Sequence, residues 1–200
     1  MEKETLKNIL DFLKHNENRN IPFMWKLKNN EPFTDDELHI KGDLVLAESD
    51  IESLPEGLKV GGSLNLASCL DLKSLPDNLK VGENLSLSET RFRFLPKGLE
   101  VGGNLDLYAS QIDSLPKDLK VGGDLNIEGT YIELLPSGLQ VGGDLYLNDS
   151  DLHHSIDYDD SDELRNIIKK MVEPGFIKGE VIFDEYDDWF KLNIIWKKKQ

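Results

Sequence analysis

The sequence predicts a solenoid: an array of near-identical coils of about 20 residues, stacked on one another. Three observations predict it. Leu-Pro recurs at Leu54-Pro55, Leu75-Pro76, Leu95-Pro96, Leu115-Pro116 and Leu135-Pro136, at spacings of 21, 20, 20 and 20 residues. Each copy continues with Leu, then Val-Gly, then Leu-x-Leu or Leu-x-Ile. The hydrophobic content of 38% is low for a compact globule. It suits an array in which each coil hides only one strip of side chains.

The chain divides into three parts. Residues 1–34 form an N-terminal helical cap. Leu6, Ile9, Leu10 and Leu13 fall at i, i+3, i+4 and i+7, the spacing of one apolar helix stripe. The stretch Ile21-Pro22-Phe23-Met24-Trp25-Lys26-Leu27 follows and supplies two aromatics to cover the first coil. Residues 35–153 form the array, a parallel sheet of about six coils with short turns on the opposite side. A degenerate first coil, Leu38-His39-Ile40-Lys41-Gly42-Asp43-Leu44-Val45-Leu46, lacks Leu-Pro. Residues 154–200 form an α+β C-terminal cap. Its helix runs from Asp162 to Val172 with Leu164, Ile167, Ile168 and Met171 as the apolar stripe. Asp160-x-x-Glu163 has the form of a capping box, and Pro174-Gly175 ends the helix. Glu180–Glu185 and Trp189–Trp196 then alternate like strands, in the manner of a hairpin.

Within a coil each position has a physical reading. Leu44, Leu64, Leu85, Leu105, Leu125 and Leu145 begin an alternation with Leu46, Leu66, Leu87, Leu107, Ile127 and Leu147. Period two means a strand with one face buried, and stacked coils pair such strands in parallel. Proline sets φ for a turn on the far side. The residue two after it is Gly57, Asn78, Gly98, Asp118 or Gly138, types that tolerate positive φ. The paired glycines are less strict, since Lys41 and Glu83 each replace one. Close packing between coils therefore explains them better than an obligatory positive φ. A row of small polar residues, Ser49, Cys69, Thr90, Ser110, Thr130 and Ser150, is placed to hydrogen-bond the backbone of the bend.

The pattern resembles the leucine-rich repeat family in its short Leu-Pro form. Leu105-Asp106-Leu107-Tyr108-Ala109-Ser110-Gln111-Ile112 follows the family core, with Ser110 in the asparagine place. The Val-Gly-Gly variant is similar to repeats of bacterial and phage-encoded proteins of unassigned role. The resemblance implies a solenoid whose exposed sheet face is concave and binds partners. It implies no specific activity.

Charge narrows the function. The formal net charge of −15 opposes direct binding of nucleic acid and favours a basic partner. The start, Met1-Glu2-Lys3-Glu4-Thr5-Leu6, has no secretory pattern, and no apolar run reaches a membrane-spanning length. One cysteine, Cys69, excludes an intrachain disulfide and fits a reducing compartment. The expectation is a cytoplasmic protein with no membrane partner.

Catalytic and metal-binding readings are weak. Asp157-x-Asp159-x-Ser161-x-Glu163 hints at a calcium loop, but loop positions six and twelve hold Asp162 and Ile168. Adjacent His153 and His154 rarely chelate one zinc together. Cys69 occupies a repeat position that belongs in the core. Ubiquitin ligases with similar repeats carry a separate catalytic domain, for which this chain has no room. No phosphate-binding glycine loop or Ser/His/Asp constellation is present. The sequence thus predicts no enzyme, no cofactor and no metal site.

The candidate site is the exposed face of the repeat sheet, which turns acidic toward its C-terminal end and carries two tyrosines. Its residues are Asp106, Tyr108, Asp124, Asn126, Glu128, Asp144, Tyr146 and Asn148. Tyrosine is a common interface anchor, and the carboxylates would steer a basic protein surface. Plain solvation of a polar face explains the same residues. The expectation is a protein-binding module, in one form a phage or bacterial inhibitor or adaptor that occludes a partner such as a host defence complex. The alternative is an acidic mimic of nucleic acid competing for a basic groove. The C-terminal unit, with Trp189 and Lys197-Lys198-Lys199, is a competing surface.

Overall fold

Apolar residues recurring once per coil can be buried only if every coil lays them over those of the next. The computed structural model describes residues 23–152 and 161–183, and in them the chain is a parallel β-solenoid. The Leu6–Leu13 stripe, the His153-His154 pair, Asp157, Asp159, Asp160 and the Trp189–Trp196 segment lie outside the described residues.

Each coil contributes two short strands rather than one. The first sheet stacks His39–Ile40, Lys59–Val60, Lys80–Val81, Glu100–Val101, Lys120–Val121, Gln140–Val141 and Phe176–Ile177. The second stacks Leu44–Val45, Leu64–Asn65, Leu85–Ser86, Leu105–Asp106, Leu125–Asn126, Leu145–Tyr146 and Val181–Ile182. All pairings are parallel and in repeat register, as Leu105↔Leu125↔Leu145 shows. The second sheet holds the six expected strands. The first arises at Leu-x-Val-Gly, where Leu58, Leu79, Leu99, Leu119 and Leu139 alternate inward with the following valines as the leucines of the second sheet do; that alternation was a signal in the sequence that the one-strand reading passed over.

Phe176-Ile177-Lys178-Gly179-Glu180-Val181-Ile182-Phe183 repeats the coil pattern after an interruption. It extends both sheets by one strand, so Val181–Ile182 pairs in parallel with Leu145–Tyr146. The interruption contains helix α2, Ser161–Met171, after the short N-terminal helix α1, Phe23–Lys28. Leu164, Ile168 and Val172 of this insertion are buried, and Met171 packs against the core. At the other end Phe23, Met24 and Leu27 cover the core beside the first coil. Between Pro55 and Ser150 there is no helix. Among the described residues none is in a helix long and apolar enough to cross a membrane.

The core is six columns of side chains, among them Leu64-Leu85-Leu105-Leu125-Leu145 and Val60-Val81-Val101-Val121-Val141. The small polar row is buried with it. Thr90, Thr130 and Ser150 donate to the carbonyls of Leu87, Ile127 and Leu147 at 2.6–2.7 Å, which removes the cost of burying a hydroxyl. Cys69 sits in the same column with Sγ 3.0 Å from the Leu46 carbonyl oxygen.

Corners close each coil. After proline, φ is positive at Gly57, Asn78, Gly98 and Gly138. Asp118 departs from this expectation; its carboxylate accepts the Gly98 N–H instead. A second positive-φ corner follows the second strand, at Glu48, Ser68, Glu89, Ala109, Gly129 and Asp149. The mixed residue types there hide it in the sequence.

The glycine pair answers to stacking. A Cβ on Gly82, Gly102, Gly122 or Gly142 would lie 2.1 Å from the carbonyl oxygen of the glycine one coil before. Side chains stand in this place only at the two ends of the described array, Lys41 in the first coil, with no coil before it, and Lys178 in the coil after the inserted helix. The second glycine makes room for a side chain of the preceding coil, as described next.

Candidate protein-binding face

The exposed side of the second sheet is built from three residues per coil, one before, one between and one after the two inward leucines. The first of these turns out to be a structural ladder. The Oδ1 atoms of Asp43, Asn84, Asn104, Asp124 and Asp144 accept the backbone N–H of Ser63, Asn104, Asp124, Asp144 and Glu180, one coil on, at 2.8–2.9 Å. A Cβ on Gly62, Gly103, Gly123, Gly143 or Gly179 would fall 2.1–2.5 Å from the same oxygens. The exception confirms the cause. Ser63 is too short to fill that space, and the next coil carries Glu83 instead of glycine, bonded to the Ser63 hydroxyl. Asp124 and Asp144 therefore serve the array itself, and what they offer a partner is their charge.

The middle residue caps the bend. Asp106 Oδ1 accepts the N–H of Tyr108 at 3.1 Å, and Asn126 Oδ1 accepts that of Glu128 at 2.9 Å. These short Asx bonds hold the chain as it turns into the positive-φ corner. They also set the direction in which Tyr108 and Glu128 leave the sheet.

The eight sequence-predicted residues come together on three adjacent coils. Asp106, Asn126 and Tyr146 are direct register partners. Asn148 donates to Glu128 across one coil at 2.8 Å. Tyr108 is 49% exposed, whereas Tyr146 is half-buried. The pKa of the Tyr146 hydroxyl is raised above its ordinary value, first by burial and then by the carboxylates of Asp124, Asp144 and Glu128. Asp124, Asp144 and Glu128 are thus near enough for their charges to act on its hydroxyl. Sequence reasoning missed Ile182, which pairs beside Tyr146 in the seventh strand and widens the apolar centre of the patch. The shared Gly-x-hydrophobic-x-hydrophobic pattern of residues 179–183 was the available signal.

Compared with known protein families, curated proteins and solved structures, the chain matches none.

Of the other candidate chemistry, the His153-His154 pair and Asp157 and Asp159 of the calcium-type run lie outside the described residues. Cys69 is fully buried. Among the described residues no three His, Cys, Asp or Glu side chains gather in the manner of a metal site.

Proposed function

We propose that this chain is a non-enzymatic, leucine-rich-repeat-type binding module of the cytoplasm, whose second-sheet face recognises a basic surface on another protein. The observation that carries the reading is half-buried Tyr146, stacked in register with Asn126 and Asp106 and within reach of the charges of Asp124, Asp144 and Glu128, with exposed Tyr108 two coils away on the same face. An aromatic centre with charges around it is how interfaces combine affinity with steering. Parallel strands fix the spacing of these groups, so little order has to be gained on binding. In its most concrete form the module is an inhibitor or adaptor that occludes a partner's functional surface, as the resemblance to phage and bacterial repeats suggests. A nucleic-acid-handling protein or a host defence complex has the basic surface required.

A mimic of nucleic-acid charge is the second reading. Asp124 and Asp144, one coil apart on the same ladder, favour it. The two readings differ in what they need. A mimic needs only the charges and loses affinity steeply with salt. The protein-binding reading also needs the rings.

The test starts with a partner captured from the native host and identified by mass spectrometry, then purified. Tyr108→Ala with Tyr146→Ala should keep the fold and weaken its binding by roughly 2 kcal/mol or more. Asp124→Asn with Asp144→Asn should mainly slow association. Should both double variants bind as wild type, the second-sheet face is not the site.

A further inference from the structure

The first sheet carries the opposite charge. We propose that its outer groove is a second docking site, which takes an acidic peptide segment in extended form. The groove has a volume of about 730 Å³ and runs along the solenoid axis from the first coil to the last. Its charged lining is Lys41, Lys59, Lys80, Lys120 and Lys178 against one carboxylate, Glu100. In a chain of net charge −15 this segregation runs against the overall trend.

Glu100 stands in register between Lys80 and Lys120 and offsets only part of this row within the array. Lys80 pairs with Glu100 at 3.0 Å. Among the described residues Lys41, Lys59 and Lys120 have no carboxylate within ion-pair distance. Lys59 and Lys80 are direct register partners. Like charges opposed on neighbouring strands destabilise a sheet, and an anionic occupant would relieve that repulsion.

Shape selects the occupant. Beside the lysine row run the exposed glycines Gly61, Gly82, Gly102 and Gly122, whose lack of side chains leaves a trough of bare backbone. At the two ends, Lys41 and Lys178 stand in the glycine place and bring an ammonium to each mouth. Six coil steps at about 4.8 Å make roughly 29 Å, the length of about nine extended residues. A peptide can lay apolar side chains on the backbone floor and turn carboxylates to the lysines. A single-stranded nucleic acid fits less well, because the trough has no row of aromatic rings for bases to stack on and the whole chain repels a charge on every residue. With a basic partner on the second sheet and an acidic segment on the first, one module would join two chains of opposite charge.

The experiment selects random displayed nonapeptides on the immobilised wild-type protein, with the Lys59→Gln/Lys80→Gln/Lys120→Gln variant as counter-target. The enriched peptides should alternate Asp or Glu with apolar residues. A fluorescein-labelled example should lose at least about tenfold in affinity on the triple variant and about nothing on Tyr108→Ala with Tyr146→Ala. The triple variant should melt close to wild type, since the Lys59–Lys80 repulsion it removes and the exposed Lys80–Glu100 pair it loses are both small. The proposal is overturned if no sequence enriches, if the enriched peptides lack carboxylates, or if their affinity survives the triple change within about twofold. Tighter binding of a decadeoxythymidylate probe than of the best peptide would also overturn it, and would assign the groove to nucleic acid.

Discussion

The pairing of Ser63 with Glu83 permits a double-mutant cycle that tests how the coils are held at their spacing. In the other coils an Asx side chain is followed, one coil on, by glycine, and a Cβ at that glycine would meet the Asx oxygen at 2.1–2.5 Å. Ser63→Asn alone should drive Oδ1 into the Cβ of Glu83, an overpacking that costs about 1–3 kcal/mol. Glu83→Gly alone should cost about 0.5–1 kcal/mol in backbone freedom. The two together should rebuild the ladder. The Asn84 N–H, now held only by Ser63 Oγ at 3.4 Å, gains an oxygen at the distance of about 2.8–2.9 Å seen elsewhere. That bond is worth about 1 kcal/mol. The double variant should therefore lie close to wild type, and the coupling should be about 2–3 kcal/mol in its favour. Urea unfolding followed by far-ultraviolet circular dichroism measures all four corners of the cycle. If the two changes add within about 0.5 kcal/mol, the ladder is not what excludes a side chain at the second glycine.

Three further expectations follow from the same geometry. Gly122→Ala should destabilise by roughly 2–5 kcal/mol, because its Cβ must displace the Gly102 carbonyl from 2.1 Å and stretch the stacking bonds on either side; Gly42→Ala, with nothing within 4 Å, is the control that should leave the urea midpoint unchanged. Asp124→Asn with Asp144→Asn keeps both Oδ1 acceptors, so stability should rise by a few tenths of a kcal/mol, whereas Asp144→Ala should lose about 1 kcal/mol with the Glu180 N–H bond; in the Asn pair a nuclear magnetic resonance titration of the assigned Tyr146 ring should show its raised pKa moving down but not fully, since burial is the larger cause of its shift. Glu37, bonded to Lys26 at 2.6 Å and to Thr34, has its carboxyl held below the ordinary value, so its stabilisation is present above about pH 4.5 and is lost as pH falls through the lowered value; the melting-temperature gap between wild type and Glu37→Gln should be clear at neutral pH and should close in acid.

Sequence alone determined the solenoid, its coil length and its core columns, because burial repeats every coil and apolar residues must repeat with it. Leu105, Leu125 and Leu145 need no tertiary information to be placed inward. It also put the eight face residues on one side, since alternation along a strand leaves only two sides to choose from. The buried polar row was legible for the same reason, as Thr90, Thr130 and Ser150 recur in phase with the leucines.

What only the tertiary structure decided lies between coils. The role of Asp124 depends on the backbone N–H of Asp144, and the tolerance of Glu83 depends on the side chain of Ser63; neither contact joins neighbours in sequence. The seventh strand at Val181–Ile182 was hidden because an inserted helix breaks the repeat phase. The first sheet was not hidden by length, since strands of both sheets are two residues long; its Leu-x-Val alternation was there to read, and only the stacked coils show that it pairs as a second sheet. Its lysine row exists only once the coils are stacked. Residues 20 apart along the chain become neighbours about 4.8 Å apart, and a charge that looks scattered in the sequence is gathered into a groove.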